Sequence, residues 1–112
     1  GFLNAMDNMN RIVDLNTTFV YVVDHSLGMS KGKIAAQVSH VAMQLADKNK
    51  CLGTALVLKA DHERFMQLYE LVDGAEAIED AGLTQMLPGT LTCFGFVGTE
   101  KTKELTKDLK LV

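Results

Sequence analysis

The segment that most restricts the fold is GMSKGKIAAQVSHVAMQLADKNK, which runs from Gly28 to Lys50. Ser30 is a candidate N-cap, because its hydroxyl can accept a hydrogen bond from a backbone N–H two or three residues later. Beyond it, apolar residues recur at the three- and four-residue spacing of a helix with one buried stripe. These residues are Ile34, Val38, Val41, Ala42, Leu45 and Ala46. The segment therefore predicts one long amphipathic helix.

A second stripe of the same helix is polar and contains no acid. At about 100° per residue its members share a narrow sector of the helix surface. They are Lys33, Gln37, His40 and Gln44. Two interpretations stay open at this point: an ordinary solvated face, or a face turned toward a ligand.

The start of this helix does not form a Walker phosphate loop. That motif needs a glycine, four residues and then Gly-Lys-Ser/Thr. Here Lys33 is followed by Ile34, and Gly28 stands one position too close to Gly32. Unpaired N–H groups at a helix start, with Lys31 and Lys33 beside them, still suit an anion.

Composition limits the classes of protein that the chain can represent. The 112 residues are enough for one domain with a core, and a net charge of −3 argues against a surface that is basic all over. The charge is uneven: residues 24–60 hold five lysines against two aspartates, and residues 61–80 hold seven acids against Arg64 alone. Cys51 and Cys93 have neither metal-site nor disulfide-framework spacing and suit free thiols in a reducing cytoplasm. No segment is apolar over the length of a membrane span, and nothing at the N-terminus indicates export.

The remaining pattern alternates strands with helices. Apolar, β-branched runs predict strands over residues 18–23, 54–59 and 90–97, with a short further strand over 75–80. Asp61 and Thr99 are candidate N-caps of two more helices, the last one ending near Leu109. The prediction is a three-layer α/β/α domain with a small mixed sheet of about four strands. It occupies residues 17–112, after a polar arm over residues 1–16.

A second loop also concentrates groups that can do chemistry. Asp80 follows a predicted strand and precedes Ala81-Gly82, which let a ligand come close. Hydroxyl and amide groups follow at Thr84, Gln85, Thr90 and Thr92. On its own, Asp80 also fits a simple Asx turn in which it bonds its own backbone.

Together the two segments resemble one family. The motifs GMSKGKIAAQVSH and, some forty residues later, DAGLTQMLPGT are similar to those of the type-two peptidyl-tRNA hydrolases, MGKGKxAAQxSHA and DAGRTQxxPGT. The resemblance extends from Thr18 onward. It implies a cytoplasmic enzyme that cleaves the ester joining a peptide to the terminal ribose of tRNA. It further implies no metal or cofactor, no membrane partner, and a homodimer.

The family's site, carried over by position, assigns residues to two roles. The catalytic set is Lys33, Gln37, Asp80, Thr84 and Thr92. The substrate-binding set is Lys31, Gly32, His40 and Gln85, with His40 in a supporting role. In the implied chemistry Asp80 positions or deprotonates the attacking water, and Lys33 keeps Asp80 ionised and faces the developing oxyanion. Gln37 and a threonine hydroxyl orient water and substrate.

The chain also departs from the family pattern. Leu83 stands where the family has arginine, Ser30 where it commonly has glycine, and the connection over residues 49–53 is short. A guanidinium suited to phosphate is thereby lost. An alternative hypothesis is therefore a catalytically inactive relative that binds tRNA or a protein. A third is hydrolysis of another ester or amide.

Overall fold

The computed structural model describes residues 13–79 and 89–112, which form a mixed sheet with helices on both faces. The elements in chain order are strand β1 (Val13–Asp24), a 3-10 turn (His25–Leu27), helix α1 (Lys31–Asn49), β2 (Leu52–Ala60), α2 (His62–Leu71), β3 (Glu76–Glu79), β4 (Leu91–Val97), α3 (Glu100–Thr106) and β5 (Lys110–Leu111). The predicted α/β class is confirmed. The described sheet has five strands instead of about four, because the two-residue strand β5 is too short to leave a sequence signal.

Strand β1 lies in the middle of the sheet, whose order is β3-β4-β1-β2-β5. It pairs in parallel with β2 and antiparallel with β4. Its last six residues, Phe19 to Asp24, are all buried, as expected for a strand covered on both faces. Successive side chains point to opposite faces, so Tyr21 packs in the cluster under α1 and Val22 in the cluster under α2.

The strand is longer than predicted. It begins at Val13, five residues before Thr18, so residues 13–16 belong to β1 and not to a polar arm. These residues are exposed, and the β1–β2 register shifts between Val13 and Thr18, which explains why they lack the apolar pattern of a core strand. Residues 1–12 of the predicted arm lie outside the described residues.

All three predicted helix N-caps are present. The backbone N–H of Lys33 donates to Ser30 Oγ at 3.2 Å, and that of Arg64 donates to the Asp61 carboxylate at 2.9 Å. Thr99 forms a capping box with Thr102. Helix α3 ends at Thr106, three residues before the predicted end, because the chain turns there into β5.

Helix α1 packs closely on the sheet at Gly95 of strand β4. A Cβ added at Gly95 would lie 2.7 Å from Val41 Cγ1, 2.9 Å from Tyr21 Cδ1 and 3.0 Å from Leu45 Cδ1. The helix and the neighbouring strand therefore occupy the volume of the missing side chain. Gly95 sets how closely α1 approaches the sheet, and with it the position of the helix start.

We expect Gly95→Ala to lower the free energy of unfolding by about 1–3 kcal/mol, because one extra methyl group overpacks this contact. Urea denaturation measures the change. Gly32→Ala is the matched control, since a Cβ there meets no atom within 4 Å. That control should raise stability by up to about 1 kcal/mol, because alanine is the better helix former. A Gly95→Ala midpoint equal to that of the unaltered protein would contradict the close contact.

Candidate active site

Several elements bring polar residues to one edge of the sheet. Strands β1 and β2 are parallel, so both end at this edge, and β4 runs the other way and begins there. The last pair of the β1–β4 ladder joins Val23 to Cys93, so Asp24 lies beside the start of β4. The 3-10 turn then leads from Asp24 to the start of α1. Sites in α/β sheets form at such strand ends.

Lys33 and Gln37 lie one turn apart at the start of α1. Lys33 is half-buried, and Gln37 is only 5% exposed. The first turn of the helix contains no acidic residue. Residues four apart share a helix face, so the ammonium and the amide point to the same side. Burial of an amide is costly unless it is hydrogen-bonded, which marks Gln37 as unusual for a helix face.

The polar stripe divides along the helix. Lys33 is half-buried and Gln37 is buried, whereas His40 and Gln44 are exposed. Lys31 and Gly32, assigned to substrate binding, are exposed in the first turn. The stripe therefore joins a sheltered end, at the sheet edge, to a solvated end further along the helix.

Thr92 is the other described member of the predicted catalytic set. It is fully buried near the start of β4, and its hydroxyl donates to the Ile78 carbonyl of β3 at 3.3 Å. The β3–β4 register shifts between Ile78 and Glu79, so this bond joins the strands at an irregularity. The hydroxyl oxygen keeps its capacity to accept. The predicted residues Asp80, Thr84 and Gln85, and the departure at Leu83, lie outside the described residues.

A buried carboxylate at the same edge was missed in the sequence. Asp24 is 1% exposed, and its Oδ1 accepts from the Ser26 N–H at 3.0 Å and from Ser26 Oγ at 2.6 Å. Its Oδ2 lies 2.8 Å from Nδ1 of His62, the first residue of α2. Because a carboxylate only accepts, Nδ1 carries the shared hydrogen and Nε2 is left on the exposed side of the ring. Asp24 thus ties the end of β1 to the 3-10 turn and to α2.

The signal for this cluster was present in the chain but spread over two places. An aspartate directly after an apolar strand is a buried-carboxylate candidate, and Asp24 has that position. Its partner His62 follows the next parallel strand, and parallel strands end at the same edge. Combining the two strand ends would have predicted the pair.

The side chain of Arg64 is engaged in hydrogen bonds with other residues of this chain. Its guanidinium donates to both oxygens of Asp108, at 3.3 and 3.1 Å, and to the Leu105 carbonyl at 2.7 Å. The hydrogen bond from Arg64 is the largest cause of a lowered pKa at Asp108. The other arginine, Arg11, lies outside the described residues. Arg64 therefore links α2 to the segment that follows α3.

Cys93 is a poor nucleophile despite its place at the start of β4. Burial raises the pKa of its thiol to about 12, so the thiolate is scarce at neutral pH. Burial, and then the proximity of Cys93, also raises the pKa of the Tyr21 hydroxyl on the neighbouring strand. Neither group is therefore suited to act as a nucleophile at neutral pH.

The residues that the structure describes offer neither a metal centre nor a membrane-spanning helix. Among residues 13–79 and 89–112, no three His, Cys, Asp or Glu side chains group as metal ligands would. Within those ranges, too, no helix combines the length and apolar character needed to cross a bilayer.

Comparison with known proteins points to one family. A family model described as "Peptidyl-tRNA hydrolase PTH2" matches residues 17–112. A protein of Methanopyrus kandleri is 36% identical over 83% of this chain and 96% of its own length. A protein of Thermococcus onnurineus is 37% identical, with 83% and 95% covered, and one of Sulfurisphaera tokodaii is 34% identical, with 86% and 98% covered. All three are named peptidyl-tRNA hydrolase.

The two thiols should differ sharply toward a thiol reagent in the folded protein. We expect Cys51, which is partly exposed, to react within minutes at pH 8, and Cys93 to react only after denaturation. A colorimetric thiol count before and after addition of guanidinium measures this. The Cys51→Ser variant should show no reactive thiol when folded. Rapid labelling of that variant would show that Cys93 is accessible.

We expect Asp24→Ala to lower the free energy of unfolding by about 1–3 kcal/mol, because it leaves the Ser26 N–H and the His62 ring without their acceptor. Denaturant unfolding followed by circular dichroism measures the loss. Asp47→Ala is the control, since Asp47 is exposed and pairs only with the neighbouring Lys50 among the described residues. The control should change stability by less than about 0.5 kcal/mol. Equal effects of the two substitutions would argue against the clamp at Asp24.

Proposed function

The chain belongs to the peptidyl-tRNA hydrolase PTH2 family, and on that premise we propose that it cleaves the ester bond between peptide and tRNA and releases free tRNA. One observation carries the proposal. Lys33 and Gln37 project from one face at the start of α1, half-buried and buried respectively, where the motif requires them. A cation and an amide sheltered together are suited to polarising a carbonyl.

The proposed reaction is direct attack by water. Asp80 accepts a proton as the water oxygen bonds to the ester carbonyl carbon. The resulting oxyanion is stabilised by the ammonium of Lys33, whose charge acts strongly in a sheltered position. The bond from the carbonyl carbon to the ribose oxygen then breaks, and the proton held by Asp80 passes to that oxygen. The products are tRNA with its terminal hydroxyl restored and a peptide carboxylic acid, which releases its proton to solvent and becomes the carboxylate.

The other predicted residues orient the reactants. Gln37 can donate to the carbonyl oxygen or to water through its amide. Thr92 donates its own hydrogen to Ile78, so its part in this proposal is to accept a hydrogen bond from the water or from a neighbouring donor. Thr84 and Gln85 complete the set. Lys31, Gly32 and His40 are assigned to contacts with the acceptor end of tRNA.

Further parts of the proposal rest on family membership alone. They are a reaction without metal or cofactor, a cytoplasmic location and a homodimer. Lys31 and Lys33 supply positive charge beside the N-terminus of α1, where the helix dipole also favours phosphate. The alternative of an inactive binding module is not favoured, since the relatives compared above are named as hydrolases.

Hydrolysis of an N-acylated aminoacyl-tRNA tests the proposal. We expect the protein to release the acyl-amino acid, and Lys33→Ala and Asp80→Ala each to reduce kcat/KM by at least about 100-fold, the scale of a lost acid–base or oxyanion group. Release of labelled product, separated from precipitated tRNA, measures the rate.

Lys50→Ala is the control for the loss of one positive charge, at the opposite end of α1. Its ammonium pairs with Asp47 on the surface at 3.3 Å, away from the sheet edge that ends β1. We expect its rate to match that of the unaltered protein within about twofold. No product with micromolar enzyme, or full activity of Lys33→Ala, would contradict the proposal.

A further inference from the structure

Two lysines lie directly opposite each other where strands β2 and β5 pair. Lys59 is the partner of Lys110 in this antiparallel ladder. The Cβ atoms of such a pair are about 5 Å apart and point to the same face of the sheet. Two positively charged side chains therefore leave the sheet side by side, and we call Lys59 and Lys110 the lysine pair.

In the described part of the chain, no acid neutralises the lysine pair. No ion pair within residues 13–79 and 89–112 involves either of its members. At the far end of α1, in contrast, Lys48 and Lys50 each form an ion pair with an acidic side chain. Like charges directly opposite in a sheet repel each other. The lysine pair is therefore an unbalanced positive charge that attracts anions.

The lysine pair borders an open depression at the ends of β1 and β2. His25, which directly follows β1, lines it as well and adds a hydrogen-bond donor. Arg64 and two carboxylates complete the charged lining, and Arg64 engages both acids. Asp61 accepts from its backbone N–H at 2.9 Å, and Asp108 accepts from its guanidinium at 3.1 Å. Three cationic side chains thus stand against two carboxylates that already have partners.

Strand geometry turns Lys59 toward the face of the sheet that α1 covers. Its neighbours in β2, Leu58 and Ala60, belong to the cluster under α2, and successive side chains alternate between the faces. Val57 packs against the cluster under α1 and lines one cleft with Lys31, the first residue of that helix. The lysine pair therefore lies on the same side of the sheet as the helix start that carries the proposed catalytic residues.

We propose that Lys59 and Lys110 together bind a backbone phosphate of the tRNA, outside the catalytic residues. One phosphate between the two ammonium groups accepts hydrogen bonds from both and offsets their repulsion. Contacts of this kind hold a nucleic acid in position without reading its sequence. The inference rests on the proposed hydrolysis of peptidyl-tRNA, since that substrate supplies the phosphate. It adds two residues that lie outside both sequence motifs.

The site favours an extended polyanion over a small anion. Lys110 is exposed, and an exposed ion pair contributes little to binding on its own. A nucleic acid gains from several such contacts at once, because each neutralised phosphate releases counterions. Lys31 is also exposed on this side of the sheet and supplies a second contact. A bound tRNA is such a ligand, because its phosphates continue from the terminal ribose at the catalytic site.

Binding of fluorescently labelled, deacylated tRNA tests the site without hydrolysis. We expect the Lys59→Ala/Lys110→Ala double variant to raise Kd about eightfold at about 0.1 M salt, the effect of one lost phosphate contact. The slope of log K against log salt should become about 0.9 shallower, which is the contribution of one duplex phosphate. Fluorescence anisotropy at a series of salt concentrations measures both quantities.

The Lys48→Ala/Lys101→Ala double variant is the matched control for the loss of two positive charges. Both side chains line a cleft at the opposite edge of the sheet. We expect its Kd to stay within about twofold of that of the unaltered protein, because salt screens charges far from the bound phosphates. Lys59→Arg/Lys110→Arg should also keep the affinity, since arginine binds phosphate as well. Circular dichroism checks that the compared variants are folded.

Steady-state kinetics with an N-acylated aminoacyl-tRNA separate binding from chemistry. We expect Lys59→Ala/Lys110→Ala to raise KM and to keep kcat within about twofold, because a contact that is equally strong in the ground and transition states changes KM alone. A kcat that falls as far as kcat/KM would show that the lysine pair acts in the chemical step, and would overturn its assignment to binding.

The outcomes of the binding experiment separate this site from the proposed function. An unchanged Kd and salt slope in the Lys59→Ala/Lys110→Ala variant, or an equal loss of affinity in the control, would overturn the site alone. Displacement of tRNA by an equal concentration of inorganic phosphate would overturn the preference for a polyanion. No binding of tRNA by the unaltered protein would overturn the site and the proposed function together. Binding that depends on the lysine pair, without hydrolysis, would overturn the proposed function alone.

Discussion

The structure depends on the burial of one strand from both sides. Six consecutive residues of β1 are buried, and their alternating side chains form the centres of the two apolar clusters. Helix α1 buries its apolar stripe on one of these clusters, which also includes Cys93 of β4, and α2 buries its stripe on the other. The parallel pairing with β2 and the antiparallel pairing with β4 then determine which strand ends meet at the candidate site. Apolar packing in the centre of the sheet thus positions the polar residues at the strand ends.

Polar contacts, in contrast, hold together the end of the sheet at which β1 terminates. Asp24 is the point where the strand stops being apolar, and its carboxylate is satisfied by groups from the 3-10 turn and from α2. The turn leads directly into the helix that carries Lys33 and Gln37. A charged group at this position would be costly without its partners, and with them it fixes the direction in which the chain leaves the sheet. The buried carboxylate of Asp24 thus determines the local path of the chain.

Most of the fold could be predicted because local and tertiary signals agree. The apolar run of β1, the stripe of α1 and the capping residues Ser30, Asp61 and Thr99 each predicted elements that the structure confirms. What escaped prediction depends on distant partners. Residues 13–16 extend β1 back to Val13, which pairs with Leu52 of β2, and β5 forms by pairing with Leu58 and Lys59. Neither of these two segments shows the apolar periodicity that predicts a strand from sequence.

The candidate site was predictable to a different degree. The motif assigned Lys33 and Gln37, and helical spacing placed them on one face, but spacing could not show that Gln37 is buried while His40 is exposed. That difference comes from how α1 packs on the sheet, where Val41 and Leu45 closely approach Gly95. The link between Asp24 and His62 spans 38 residues and has no local signature. The meeting of Lys33 with Asp80 stays a prediction.

The strand order also has a consequence for how the chain matures during synthesis. Strand β1 and its parallel neighbour β2 emerge early, joined by α1, whereas β4, which covers the other flank of β1, is translated only after β3. Until Leu91 and the residues that follow leave the ribosome, an apolar strand lacks its antiparallel neighbour. Pairing between strands so far apart in the sequence slows folding, and it leaves apolar surface exposed until the pairing is complete. The nascent polypeptide is therefore exposed to aggregation until β4 has been synthesised and has paired with β1.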